Sequence, residues 1–126
     1  MALPNPYAQY QHQSVMTASP GDLTLMLYNG CIKFIKQGQV AVEQKDISGA
    51  HSAIRRAQDI ILEFMATLDM QIDLSHNLVT LYEYINQRLA EANIRKDNQI
   101  LAECLGLVTE LRDTWAEVVR LNRGHK

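Results

Sequence analysis

The sequence predicts an all-α protein, an antiparallel up-down-up-down four-helix bundle preceded by a mobile N-terminal segment. All three prolines lie within the first 20 residues, so proline interrupts no later helix. Apolar residues then recur at spacings of three and four through four stretches of twenty-odd residues, joined by short connections. We expect a lid or tail segment over residues 1–18, the bundle over 19–122 and a C-terminal tail over 123–126.

Helix one begins in the string "TASPGDL", residues 17–23. Ser19 is suited to cap the helix, and Pro20 fits the first helical position because its missing N–H would have no partner there. Asp22 lies three residues after Ser19, which resembles a weak capping box. We expect this helix to run to about Lys45.

The other three helices follow from capping residues and apolar spacing. Asp46 is predicted to cap helix two, which ends near Asp69, and helix three covers about residues 75–96. Helix four starts at Asp97 or Asn98. The positions expected to face the core are Ala50, Ile54, Ala57, Ile61, Phe64 and Leu68, then Leu78, Leu81, Tyr82, Ile85, Leu89 and Ala92, then Leu101, Cys104, Val108, Leu111, Trp115 and Val118.

Helix one has apolar residues on more than one side. The seam expected to face the core comprises Leu23, Leu27, Gly30, Phe34, Gly38 and Ala41. An adjoining stripe comprises Leu25, Tyr28, Ile32 and Ile35. Either helix one is simply the most buried helix, or the stripe is a groove for an amphipathic segment of another protein. On the second interpretation, Ile32→Asp weakens partner binding and leaves the helices intact.

Two glycines interrupt helix one, although glycine in a helix costs about 1 kcal/mol relative to alanine. We interpret Gly30 and Gly38 as positions where another element approaches the backbone closely. The approaching element could be a sister helix or a partner.

The N-terminal segment contains Tyr7 and Tyr10 but no helical stripe that could build a core. Tyrosines are amphipathic anchors on surfaces that are covered part of the time. The segment is therefore either an internal lid over the stripe or a disordered leader whose tyrosines have no role.

Composition and motifs argue against several classes of function. A net charge of −2 and a pI near 6.0 give no basic footprint for nucleic acid. No apolar run is long enough to span a membrane, and the N-terminus does not resemble a secretory signal.

Cys31 and Cys104 are interpreted as small buried residues in a reducing cytosol. The chain lacks Glu-x-x-His pairs, a P-loop and a haem-attachment motif, so we predict no catalytic site, no metal and no cofactor.

Two arginines border the apolar seams of the last two helices. Arg88 on helix three and Arg112 on helix four are expected to snorkel or to pair with neighbouring carboxylates rather than to bind a ligand.

Three stretches carry a resemblance to a known family. They read "NPYAQYQHQSVMTASPGDLTLMLYNGCIKFI", "YEYINQRLAEANIRKD" and "LAECLGLVTELRDTW". Together they resemble the flagellar secretion chaperone family, FliS, from Asn5 to about Val119, with the weakest similarity in helix two.

The resemblance implies a cytoplasmic export chaperone built as an antiparallel four-helix bundle. Members hold the C-terminal segment of newly made flagellin, which otherwise drives filament assembly, and present it to the type III export apparatus. The implied partners are flagellin, a component of the export gate and other flagellar regulators. The resemblance places Tyr7 and Tyr10 in a lid and cargo-contact region. Leu25, Tyr28, Ile32 and Ile35 are candidate contacts from the stripe alone.

Two alternatives remain open at this point. The stripe could instead mate with a second copy of the chain to make an obligate homodimer. An enzyme is the third possibility, but it would need a metal or cofactor for which no motif is present.

Overall fold

The computed structural model describes residues 20–123, which form four α-helices and no strand. The helices are α1 (Pro20–Glu43), α2 (Ile47–Thr67), α3 (Asp73–Arg95) and α4 (Asn98–Arg123). Each helix packs on its neighbours in the chain, and α1 also packs on α4. This arrangement is the predicted up-down-up-down bundle.

Two tight turns lie at one end of the bundle, which we call the turn end. Both turns place a lysine in the left-handed conformation, with φ 58° at Lys45 and φ 51° at Lys96. The residue after each lysine is an aspartate that begins the next helix. Asp46 accepts a hydrogen bond from the Gly49 backbone N–H at 2.9 Å, as the predicted cap requires.

The other end of the bundle, which we call the open end, carries the start of α1 and the end of α4. It also carries the connection between α2 and α3, residues 68–72. The Trp115 indole N–H donates to the Gly21 carbonyl at 2.9 Å, which attaches the end of α4 to the start of α1. No side-chain cap begins α3, whose N-cap residue is Ile72.

The core confirms the seams predicted for α2, α3 and α4. Five of the six positions predicted on α2 are buried, from Ala50 to Phe64, and Leu68 packs partly buried against them. On the other two helices Ile85, Leu89, Leu101 and Val108 are completely buried. A spacing of three and four therefore identified the inward faces of these helices correctly.

The predicted seam of α1 is correct at Gly38 and Ala41, which are buried, and wrong over the rest of the helix. Tyr28, Cys31, Ile32 and Ile35 belong to the core, whereas Leu27 and Phe34 are only partly buried. The inward face is thus turned by about 100°, roughly one residue position, from the predicted seam. Because α1 packs on both α2 and α4, it needs a wide apolar arc, and the sequence alone did not show which part of that arc is central.

The two glycines of α1 differ in their surroundings. A Cβ added at Gly38 would lie 3.3 Å from Ile54 Cγ1 on α2, so α2 approaches α1 closely there. A Cβ added at Gly30 would lie 3.6 Å from Ile60 Cδ1, which is an ordinary contact distance. The predicted close approach is therefore found at Gly38, and the approaching element is a sister helix.

Candidate functional site: an apolar groove at the open end

An apolar groove of about 630 Å³ lies at the open end, between the first half of α3 and the second half of α4. We call it the end groove. Its apolar lining comprises Ile72, Leu74, Leu78 and Leu81 on one side, Leu107, Leu111, Trp115 and Val118 on the other, and Tyr28, Phe64, Leu68 and Tyr82. Such a concave surface, lined by large apolar side chains, can bind an apolar segment of another protein.

The end groove exists because α3 and α4 pack less extensively than any other neighbouring pair. Their burial decreases from the turn end to the open end. Leu89 and Leu101 are completely buried, whereas Leu78 and Leu111 are only partly buried. The first half of α3 and the second half of α4 therefore leave apolar surface without a cover from the described part of the chain.

A polar cluster joins the same two helices nearer the turn end. Glu103 on α4 accepts a hydrogen bond from the Tyr84 hydroxyl at 2.6 Å and one from Arg88 Nε at 2.7 Å. These two donors hold the pKa of the Glu103 carboxyl below its usual value. The expected pairing of Arg88 with a carboxylate is thus confirmed, as is that of Arg112, which contacts Asp113 at 2.8 Å.

The rim of the end groove combines exposed apolar side chains with acidic ones. Ile72 is 55% exposed and Leu74 is 62% exposed, unusually high values for large apolar residues. Asp69 and Glu110 also line the groove, and no lysine or arginine among residues 20–123 does. The groove therefore suits a partner surface that is apolar and carries no negative charge.

Three aromatic rings form the inner wall of the groove. Tyr28 and Tyr82 are 5% and 3% exposed, and their hydroxyl oxygens lie 2.6 Å apart. The Phe64 ring packs against both, with centroid distances of 4.5 Å to Tyr28 and 5.5 Å to Tyr82. Burial raises the pKa of both phenols, so both stay protonated at neutral pH.

The predicted contact residues do not form one outward face. Tyr28 lines the end groove, Ile32 lines a cleft between α1 and α2, and Ile35 is completely buried. Leu25 is partly buried and lines neither of these surfaces. Tyr7 and Tyr10 lie outside the described residues. Three of the four residues of the proposed second face are therefore core residues, because the neighbouring helices cover them.

Sequence reasoning missed the residues that line most of the groove. Leu78, Leu81 and Leu111 were assigned to the core, and the structure leaves them partly open. A usable signal was the connection between α2 and α3, which contains the apolar residues Met70 and Ile72, both exposed. Apolar residues in a surface connection point to an interaction surface.

The cleft between α1 and α2 is comparable in volume, about 690 Å³, but different in chemistry. Most of its lining side chains are polar or charged, including Lys33, Lys36 and Arg56. It lacks the run of leucines found in the end groove, so it suits an apolar segment less well.

Cys31 and Cys104 are free and completely buried, as predicted from their apolar surroundings. Burial raises the pKa of each thiol to about 12. Within residues 20–123, no three His, Cys, Asp or Glu side chains gather closely enough to hold a metal ion. None of the four described helices combines the length and the apolar character that crossing a bilayer requires.

The fold and the groove together define a class of protein, a small four-helix bundle with an open apolar groove. Comparison with known proteins gives the particular family. The family model described as "Flagellar protein FliS" matches residues 3–122. The flagellar secretion chaperone FliS of Bacillus subtilis is 46% identical over 123 residues, covering 98% of this chain and 92% of the relative. That of Salmonella typhimurium is 34% identical, covering 89% and 86%.

The fold is also found in a crystal structure of a bacterial flagellar chaperone. The two structures match with a TM-score of 0.75 at 17% sequence identity, covering 91% of this chain and 98% of the other. The chain belongs to the FliS family of flagellar proteins. Its relatives are named as secretion chaperones, which is a binding role and not a catalytic one.

Proposed function

We propose that this protein is a cytoplasmic export chaperone that binds the C-terminal segment of flagellin. It keeps that segment from polymerising prematurely and delivers flagellin to the flagellar type III export apparatus, where it meets a component of the export gate. Other flagellar regulators are further partners. The observation that carries the proposal is the end groove, in a chain whose relatives are named flagellar secretion chaperones.

The shape and chemistry of the groove support an apolar and partly helical occupant. Leucines from two helices face each other across it, which suits the apolar face of an amphipathic helix. A disordered segment that folds on binding loses roughly 2–5 kcal/mol to ordering but can cover a large surface. The exposed Ile72 and Leu74 at the rim extend the apolar surface beyond the groove itself.

The proposal includes a lid formed by residues 1–18 with Tyr7 and Tyr10. A segment of the same chain that covers the groove part of the time lowers the apparent affinity for cargo by the fraction of time it is bound. It would also shield apolar surface in the free chaperone. The double variant Tyr7→Ala/Tyr10→Ala tests this, since a lid role predicts tighter cargo binding and a cargo-contact role predicts weaker binding.

The test of the main proposal is calorimetric titration of the full chain with the C-terminal segment of flagellin from the same organism. We expect saturable binding with a large negative heat-capacity change, because apolar surface is buried on binding. Absence of binding at micromolar concentrations, with the protein folded, contradicts the proposal.

Light scattering with and without the flagellin segment separates the proposal from the homodimer alternative. A chaperone forms a defined complex with the segment, whereas an obligate dimer keeps its mass at every concentration and ignores flagellin. The burial of Tyr28, Ile32 and Ile35 has already removed the surface on which that alternative was based.

A further inference from the structure

The inner wall of the end groove contains the only pair of buried hydroxyl groups that contact each other in the described part of the chain. Tyr28 comes from α1 and Tyr82 from α3, and their oxygens lie 2.6 Å apart. Both side chains line the groove and are almost completely buried. The Phe64 ring packs against both rings, so neither hydroxyl can turn away without disturbing the core.

The two hydroxyl groups of the pair have two donor protons between them. Each phenol carries one donor proton and two acceptor lone pairs. One proton is used between the two oxygens, whichever tyrosine donates it. The proton of the accepting tyrosine finds no acceptor among the described residues. Buried donors are rarely left without a partner. A group that fills the groove therefore loses binding free energy if it does not supply an acceptor for this proton.

Two other donors that line the groove are engaged within the protein. The Trp115 indole N–H donates to the Gly21 carbonyl at 2.9 Å. The Thr67 hydroxyl lies 3.0 Å from the Glu63 carbonyl and 3.2 Å from that of Phe64. The tyrosine pair is thus a buried polar position on the inner wall that can select among occupants.

The surroundings determine which acceptor fits. A carboxylate would be desolvated between leucines and would face Asp69 and Glu110, and no lysine or arginine of the described chain lines the groove. The backbone carbonyls of a helical occupant are already bonded within its own helix. A side-chain amide meets both conditions, since it is neutral and its oxygen remains free.

We infer that the Tyr28–Tyr82 pair is a specificity element that accepts a segment carrying an asparagine or glutamine on its apolar face. The amide oxygen accepts the spare phenol proton at the inner wall of the groove. This inference rests on the proposed function and names the chemistry of the segment that the groove selects. A segment that is apolar throughout displaces water from the pair without replacing its hydrogen bond and therefore binds less tightly.

The test uses the full chain, calorimetric titration and the C-terminal segment of flagellin from the same organism. The double variant Tyr28→Phe/Tyr82→Phe should bind the segment about tenfold more weakly than the wild type. Each single variant keeps one phenol with a free proton and should bind within a few fold of the wild type. Tyr84→Phe, whose hydroxyl bonds to Glu103 outside the groove, is the matched control and should bind as the wild type does.

A series of peptides, titrated into the wild-type chain and into the double variant, shows whether an amide is the acceptor. Each asparagine of the segment is replaced by leucine, and each glutamine by methionine, one at a time. One replacement should weaken binding to the wild type about tenfold and leave binding to the double variant unchanged. If no replacement weakens binding, or if the double variant binds as tightly as the wild type, the inference is wrong. A wild-type chain that does not bind the segment contradicts the proposed function itself.

Discussion

The turn end and the open end of the bundle are built from the same four helices but differ in how completely they close. At the turn end, Leu89 and Leu101 are completely buried, and Tyr84 and Arg88 join α3 to α4 through Glu103. At the open end, the leucines of the same two helices are only partly buried and line the end groove. One pair of helices thus supplies both a closed core and a binding surface.

The connections explain this difference. Both short turns, with their left-handed lysines and aspartate caps, lie at the turn end and hold α1 to α2 and α3 to α4. At the open end α3 and α4 have no shared connection, because α3 follows α2 and α4 is the last described helix. Nothing in the described chain forces their leucines together there. The apolar surface left open is worth about 25 cal/mol per Å² to whatever covers it.

The largest effect should come from comparing equivalent truncations at the two ends. Leu89→Ala creates a cavity in the closed part of α3 and should lower the free energy of unfolding by about 3 kcal/mol. Leu78→Ala, in the partly open part of the same helix, should cost about 1 kcal/mol, because less apolar surface is lost from the core. Urea unfolding followed by circular dichroism measures both. Equal losses at the two positions would mean that the open end is as tightly packed as the turn end.

The second prediction concerns binding, and its variants introduce a negative charge on the surface. Leu74→Asp puts a carboxylate on the exposed rim of the end groove and should weaken binding of the flagellin segment by more than tenfold, or about 1.4 kcal/mol. The matched control is Ile94→Asp, which charges an exposed position on the same helix at the turn end. Titration calorimetry compares the two, and circular dichroism checks that both stay folded. If both variants weaken binding equally, the cargo surface is not confined to the open end.

The burial of Ile32 reverses the expected effect of the variant Ile32→Asp. From the sequence, this change was expected to weaken binding and to spare the fold. Ile32 is a core residue, so a carboxylate there would be desolvated among apolar side chains and should destabilise the bundle.

The sequence was a good guide to the parts of the fold that depend on one strict pattern. The seams of α2, α3 and α4 were predicted correctly because each has polar residues on its other side. The seam of α1 was predicted incorrectly over much of its length, because apolar residues occupy a wide arc of this helix. Its packing on two neighbouring helices decides which of these apolar residues lie in the centre of the core. The end groove depends on how α3 and α4 separate, which is a property of the assembled bundle. Only the apolar residues of the α2–α3 connection gave a local hint.

A third and smaller effect should separate the tight and loose parts of α1. Gly30→Ala gains helix propensity, and the new methyl group meets Ile60 at an ordinary contact distance of 3.6 Å. It should therefore stabilise the bundle by up to about 1 kcal/mol. Gly38→Ala brings the same gain but forces the methyl group to 3.3 Å from Ile54 Cγ1, so we expect little or no stabilisation. Thermal unfolding of the two variants compares them directly. A larger gain at Gly38 would contradict the close approach of α2 to α1.

The smallest effect concerns the polar cluster that joins α3 to α4. Hydrogen bonds from Tyr84 and Arg88 lower the pKa of the Glu103 carboxyl. Because the folded pKa lies below the unfolded one, the cluster stabilises the fold above the unfolded pKa of this carboxyl. That stabilisation is lost as the pH falls through the folded pKa.

Glu103→Gln should thus lower stability slightly at pH 7, and the difference from the wild type should vanish in acid. The exposed Glu83→Gln on α3 is the control. Urea unfolding between pH 7 and pH 3 measures both, and a difference that persists in acid would mean that the glutamine disturbs packing rather than charge pairing.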